Sequence, residues 1–325
     1  LLLGQVDPLT GSVVGTDTIF TINAYALGSS SFDQVNRYYS FIGIDTGYTK
    51  RFVSWALTGD SLVSQPAFAE TVNDIQYDMN AMVYYGMGNY IVDTLVFDTV
   101  NNIYVYDYAS RLLTIDQGSG IMSEIKKLPQ LRAFPVGGST FDANSGRYIV
   151  NGKDPDFDDR LFVIDAASGE ILSSPTLNLQ PGQYLNELEY NNVDDKLYGL
   201  YRDNNEDIKA IVSVDLLTGA TEVVQSLNQV WAFIQGASVF HQQSQSFILY
   251  YLDYSNDSRL FTLDVTTGEI VSDVPLEGNF TELEVDNNAF AMLAYHSTTS
   301  FSDYPDLAEI RCYPNPAFDR LIIQS

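Results

Sequence analysis

Ile164-Asp165-Ala166-Ala167-Ser168-Gly169 ends one hydrophobic run and opens another, and its pattern, Asp-x-x-Thr/Ser-Gly, returns along the chain. The other full copies are Val6-Asp7-Pro8-Leu9-Thr10-Gly11, Val214-Asp215-Leu216-Leu217-Thr218-Gly219 and Leu263-Asp264-Val265-Thr266-Thr267-Gly268. Ala56-Leu57-Thr58-Gly59 and Ile115-Asp116-Gln117-Gly118-Ser119-Gly120 are degenerate copies. The glycines fall at 11, 59, 120, 169, 219 and 268, in steps of 48, 61, 49, 50 and 49 residues. A period near 50, with each copy too small to bury its own apolar face, predicts a repeat architecture. Glycine suits a turn position of positive φ, and the preceding Asp and Ser/Thr suit hydrogen bonds to the turn backbone.

The stretch around Asp165 reads as four short strands. Gly138-Ser139-Thr140-Phe141-Asp142 and Gly146-Arg147-Tyr148-Ile149-Val150 come first, followed by a polar loop over 151–159. Arg160-Leu161-Phe162-Val163-Ile164-Asp165 and Glu170-Ile171-Leu172-Ser173-Ser174 flank the turn. Short aromatic-rich strands with polar punctuation predict antiparallel sheet. The first strands of the units share a column, Phe32, Tyr77, Phe141, Tyr190, Phe240 and Val285. The next column is Asp33, Asp78, Asp142, Asn191, His241 and Asp286, which makes His241 a turn residue rather than a general base. The aromatic stripes are expected to pack one blade on the next.

Residues 1–20 hold the later half of such a unit and 282–298 the earlier half. The expectation is therefore all-β: a six-bladed β-propeller with four-stranded antiparallel blades, closed by N-terminal and C-terminal strands that share one blade. Leu1-Leu2-Leu3-Gly4 reads as a repeat strand rather than as a signal-peptide remnant. The 61-residue step implies an insertion of about 12 residues between 70 and 120, read as an additional hairpin and a specialised loop. The expected divisions are the propeller at 1–298, a linker at 299–309 and a terminal segment at 310–325.

Composition narrows the partners. Asp and Glu number 42 against 16 Lys and Arg, for a formal charge of -26. No basic stripe exists to neutralise phosphates, so nucleic acid is not an expected partner. One cysteine and two histidines exclude a disulfide framework and a cysteine-based zinc cluster. No apolar run approaches the roughly 20 residues of a membrane-spanning helix.

The first strand of a propeller blade runs nearest the axis. There Glu187/Glu189 and Glu282/Glu284 repeat one pattern, Glu-Leu-Glu, and Asp74 stands in the corresponding strand of another unit. Residues two apart share a strand face, so these carboxylates are candidates for an axial site that binds calcium or a cationic group. Tyr39, Tyr85, Tyr201, Tyr251 and Tyr295 are candidates for lining a ligand surface near strand ends. Asp154, Asp156 and Asp158 alternate as calcium ligands do, without the glycine and terminal glutamate of an EF-hand loop. There is no Gly-x-Ser-x-Gly elbow and no His-Glu-x-x-His motif.

Two resemblances add to this. Tyr313-Pro314-Asn315-Pro316-Ala317, continuing to Phe318-Asp319-Arg320-Leu321-Ile322-Ile323, resembles the start of the C-terminal sorting domain of Bacteroidetes type IX secretion cargo. That resemblance implies handling by the type IX machinery and a secreted or outer-surface location. The turns at 6–11 and 263–268 resemble those of extracellular bacterial propellers of YVTN, NHL or Kelch-like type. These resemblances and the residues above lead to a binding module for extracellular glycan, peptide or surface protein. The alternative is a carbohydrate-active hydrolase or lyase that uses converging Asp/Glu residues.

Overall fold

The computed structural model describes residues 1–68, 71–98, 103–287 and 291–297, without the side chains of 93–98, 103–106, 235, 279, 281 and 291–297. The expected linker, the Tyr313–Ala317 phrase and Cys312 lie outside the described residues. The chain begins with β1 (Leu2–Val6) and β2 (Val13–Thr18). β3 (Ile22–Asp33), β4 (Tyr38–Asp45), β5 (Lys50–Ala56) and β6 (Ser61–Ser64) form a sheet in that order. β7 (Val72–Asp78), β8 (Val83–Asp98), β9 (Ile103–Ile115) and β10 (Met122–Leu128) form another. The same meander repeats in β11 (Ser139–Asp142), β12 (Arg147–Lys153), β13 (Asp159–Asp165) and β14 (Ile171–Ser173). It repeats again in β15 (Gln183–Asn191), β16 (Lys196–Asp203), β17 (Ile208–Val214) and β18 (Thr221–Ser226). β19 (Val230–His241), β20 (Ser246–Asp253), β21 (Ser258–Asp264) and β22 (Glu269–Pro275) follow. β23 (Asn279–Asp286) and β24 (Ala291–Ser297) join the first two strands in the order β2-β1-β24-β23, with Leu2 opposite His296 and Val6 opposite Met292.

The four-stranded sheets stand as the blades of a β-propeller around the inner strands β3, β7, β11, β15, β19 and β23, each set against the next and β23 against β3. Apolar side chains fill the spaces between neighbouring sheets. Tyr85, Met87 and Leu112 pack on Phe141, Tyr148 and Phe162 across one such space. Val6, Phe280 and Val285 pack on Val239, Ile248 and Tyr250 across another. Aromatic side chains bury about 150–250 Å² each, so these stripes are the main source of cohesion between sheets.

The repeated phrase is a turn at the outer rim. In its fullest form the Asp165 carbonyl accepts the Gly169 N–H at 2.7 Å, and its carboxylate accepts the Ser168 N–H at 2.8 Å and hydroxyl at 2.6 Å. The φ of Gly169 is 69°, which a β-carbon would strain. A second set of turns, at the same end of the strands, uses the Asp/Asn column. Asp33, Asp78, Asp142 and Asn191 accept the N–H two residues on at 2.8–3.0 Å. His241 does the same work with Nδ1, which accepts the Ser244 N–H at 3.1 Å.

Two features correct the expectation of six like blades. The extra residues between 70 and 120 do not make an additional hairpin. They lengthen β8 and β9, which stay paired from Tyr84–Ile115 out to Asp98–Ile103. The inner strands are also of two kinds in alternation. β3 and β19 carry Gly28 and Gly236 at positive φ, and Gly137 occupies that place just before β11. β7, β15 and β23 carry Asp74, Glu187 and Glu282 at positive φ instead, with φ of 50°, 52° and 57°. The structural unit at the axis is therefore a pair of blades, repeated three times. Register shifts at 73/76, 186/189 and 281/284 show a bulge at each acid, which re-aims its side chain.

Candidate functional site: an axial ring of carboxylates

Each acid reaches into the next blade and lies in a nest of backbone N–H groups. Glu282 Oε1 accepts from Gly28 at 2.7 Å, while Oε2 accepts from Ser29 at 2.9 Å and Ser30 at 3.2 Å. Glu187 repeats the arrangement with Gly236 at 3.1 Å, Ala237 at 3.0 Å and Ser238 at 3.3 Å. Beside Asp74 stand the Gly137 and Gly138 N–H groups, which pull its pKa down against the effect of burial. Successive N–H groups beginning at a left-handed residue form an anion-binding concavity. Here the anion is the protein's own side chain.

A second layer follows two residues on. Ser30 Oγ donates to Glu284 at 3.0 Å, and Ser238 Oγ donates to Glu189 at 2.8 Å. In the third unit Gln76 replaces the acid, and its Nε2 donates to the carbonyl of Ser139 at 3.2 Å. Tyrosine hydroxyls brace the bulges from outside the ring. Tyr39 donates to the Glu282 carbonyl at 2.7 Å, and Tyr148 donates to the Asp74 carbonyl. The equivalent strand position in the remaining unit is Phe247, which brings no hydroxyl.

Burial controls the acidity. Desolvation pushes Glu187 up to about 8, with its N–H partners pulling the other way and Glu282 adding repulsion. Glu282 is raised to about 7 and Glu284 to about 8, with burial the largest cause for both. Asp74 and Glu189 are raised by burial first and by neighbouring carboxylates second. The cavity they enclose measures ≈ 80 Å³, and no Lys, Arg or His lines it. Organic ligand pockets span about 300–1,000 Å³, so this space suits water or an ion rather than a sugar ring.

The fold brings together the acids that the sequence pattern marked: Asp74, Glu187, Glu189, Glu282 and Glu284 all line the axial cavity. The tyrosines do not join them on a ligand surface. Tyr39, Tyr85 and Tyr251 are buried, with Tyr85 stacked on Phe141 at 5.6 Å and the Tyr251 hydroxyl on Asp273 at 2.9 Å. Tyr201 is half-buried against the core between two sheets, and the Tyr295 side chain is outside those described. Asp154 is occupied locally: its carboxylate accepts the Asp156 and Asp158 N–H groups at 2.9 and 3.0 Å and pairs with Arg160 at 2.5 Å. Among the described residues, no three His, Cys, Asp or Glu side chains stand close enough together to clasp a metal ion directly.

Sequence reasoning missed a second feature. Among the described residues, the exposed aromatic rings Phe20, Tyr48, Phe157, Tyr184, Trp231 and Tyr254 lie at the end of the propeller opposite the repeated turns. Tyr48 is 90% and Phe20 85% exposed. The lengthened β8–β9 pair extends toward the same end. Acidic loops separate the rings, and Tyr254 donates to Asp207 at 3.1 Å. The available signal was an aromatic set among turn formers, as in Asp45-Thr46-Gly47-Tyr48 and Asp156-Phe157-Asp158.

No family model and no curated protein matches the chain. Solved structures share its fold at low identity. A protein assigned as TolB from Agrobacterium tumefaciens is 11% identical, with a TM-score of 0.56 over 92% of this chain and 98% of that one. An oligogalacturonate lyase in complex with manganese is 10% identical, with a TM-score of 0.52 over 86% and 91%. A chain of a nidogen/laminin complex is 13% identical, with a TM-score of 0.51 over 84% and 92%. The likeness defines a β-propeller, a fold that serves binding and catalysis alike. Among the described residues, no helix is long and apolar enough to cross a membrane.

Proposed function

We propose that this chain is an extracellular binding module that holds a glycan against the end of the propeller carrying the exposed rings. The observation that carries the reading is the segregation of Phe20, Tyr48, Phe157, Tyr184, Trp231 and Tyr254 to one end. Rings of this kind offer flat apolar faces to sugar C–H groups, and the neighbouring carboxylates accept sugar hydroxyls. The size of the axial cavity speaks against the hydrolase or lyase alternative built on its carboxylates. The Tyr313–Ala317 phrase supports a chain delivered by the type IX machinery to the outer surface or the medium, with the propeller at 1–298 as its binding domain.

A panel of soluble polysaccharides, screened by affinity electrophoresis with the full chain, tests this. At least one should retard the protein. Tyr48→Ala and Trp231→Ala should each weaken retardation about tenfold or more without lowering the melting temperature. Absence of retardation across the panel, or variants that bind like the wild type, would overturn the reading.

A further inference from the structure

We propose that the axial cavity is a binding site for one hydrated calcium ion, held between the Asp74 carboxylate and the second-layer carboxylates Glu189 and Glu284. The starting observation is a break in the threefold pattern. Glu187 and Glu282 each engage the next blade's N–H nest with both carboxylate oxygens. Asp74, one methylene shorter, leaves Oδ2 without any hydrogen-bond partner, although the residue is only 2% exposed. A buried carboxylate oxygen with no donor is costly and calls for a ligand.

The lining offers oxygen donors and Gln76, with no sulfur and no imidazole, and its charged groups are all acidic. That set fits a hard cation. A cavity of ≈ 80 Å³ holds two or three waters at roughly 30 Å³ each, room for a cation with part of its hydration shell. Water-mediated contact also accords with the spacing, since no three acids stand within direct clasping distance among the described residues. Calcium tolerates irregular geometry and mixed carboxylate and water ligands better than magnesium does. The site is built by the ring itself, because its acids come from β7, β15 and β23. Occupation would tie three blade pairs together, so binding and folding would be linked.

Isothermal titration of the EDTA-treated full chain with calcium chloride, alongside thermal unfolding, tests the assignment. The expected result is one site per chain and a melting temperature that rises with calcium. Asp74→Asn and Glu284→Gln, which preserve shape, should each weaken calcium at least tenfold. Asp156→Asn, in the exposed acidic loop, should leave affinity unchanged. If Asp74→Asn fails to fold, Glu284→Gln carries the test. No calcium binding by the wild type overturns the proposal, as does a site indifferent to Asp74→Asn and Glu284→Gln or lost in Asp156→Asn.

Discussion

At the rim, Asp165 accepts a hydroxyl at 2.6 Å and an N–H at 2.8 Å; on the axis, Glu282 accepts three N–H groups at 2.7–3.2 Å. The hydrogen bonding is similar and the acidity opposite. Asp165, Asp116 and Asp215 are lowered, with the Ser168, Ser119 and Thr218 hydroxyls the largest causes. Glu282 is raised to about 7. Access to water decides the sign: the rim carboxylates keep their hydration, while the axial ones exchange it for protein and for each other. One functional group, the carboxylate, therefore does two jobs, setting exposed turns at the rim and closing a buried, charge-strained ring at the centre.

The strongest way to break this contrast is to remove an acid at each place. Glu282→Ala orphans the Gly28, Ser29 and Ser30 N–H groups at a buried site, and should cost about 3–5 kcal/mol in urea unfolding. Asp165→Ala exposes its turn N–H to water and should cost far less. Equal losses would mean that the ring is no more demanding than a surface turn.

Glycine substitutions sharpen the contrast at smaller amplitude. A β-carbon on Gly236 would stand 2.6 Å from Glu282 Oε1, and its φ is 67°. On Gly268, at φ 72°, it would meet nothing within 4 Å. Gly268→Ala should cost about 1–2 kcal/mol from backbone conformation alone, and Gly236→Ala clearly more. A matching cost at both sites would remove close packing from the explanation.

The pH dependence separates the two regions by window. Glu187, Glu282 and Glu284 move from 4.5 to about 8, 7 and 8 on folding, so the folded chain retains protons that the unfolded chain releases. Their stabilising contribution is full below the unfolded value and is lost as pH rises through 7 to 8. The rim aspartates act in the other direction, contributing above 3.8 and losing that contribution as pH falls through their lowered values. In calcium-free buffer the melting temperature should fall between about pH 5 and about pH 8.5, and Glu284→Gln should flatten that fall. The charged groups facing the ring are its own acids on β7, β15 and β23, so no cation within the lining offsets the trend.

The rim was legible in the sequence because its chemistry is local. An Asp, a hydroxyl and a glycine within five residues specify the turn, whatever the sheet beyond it does. The axis was legible in part. The repeated Glu-Leu-Glu marked the acids, but the two-blade unit did not follow from a period near 50 residues. Its trace lies in Gly28-Ser29-Ser30, Gly137-Gly138-Ser139 and Gly236-Ala237-Ser238, which recur about twice as far apart as the turns. The meaning of those phrases comes from carboxylates some 50 to 250 residues away in sequence, as the Glu187 and Glu282 contacts show. Tyr39, Tyr85 and Tyr251 were misplaced as ligand contacts because propeller strands are covered on both faces. Alternation along a strand then no longer separates buried from exposed positions.

The contrast is tested most directly by carbon-13 NMR of the Asp and Glu carboxyl groups, titrated without calcium and assigned by Glu187→Gln, Glu282→Gln and Glu284→Gln. The ring described here predicts three glutamate signals titrating near 7 to 8 while Asp165 and Asp215 titrate below 3.8. Glutamate signals that all titrate near the ordinary 4.5 would contradict it.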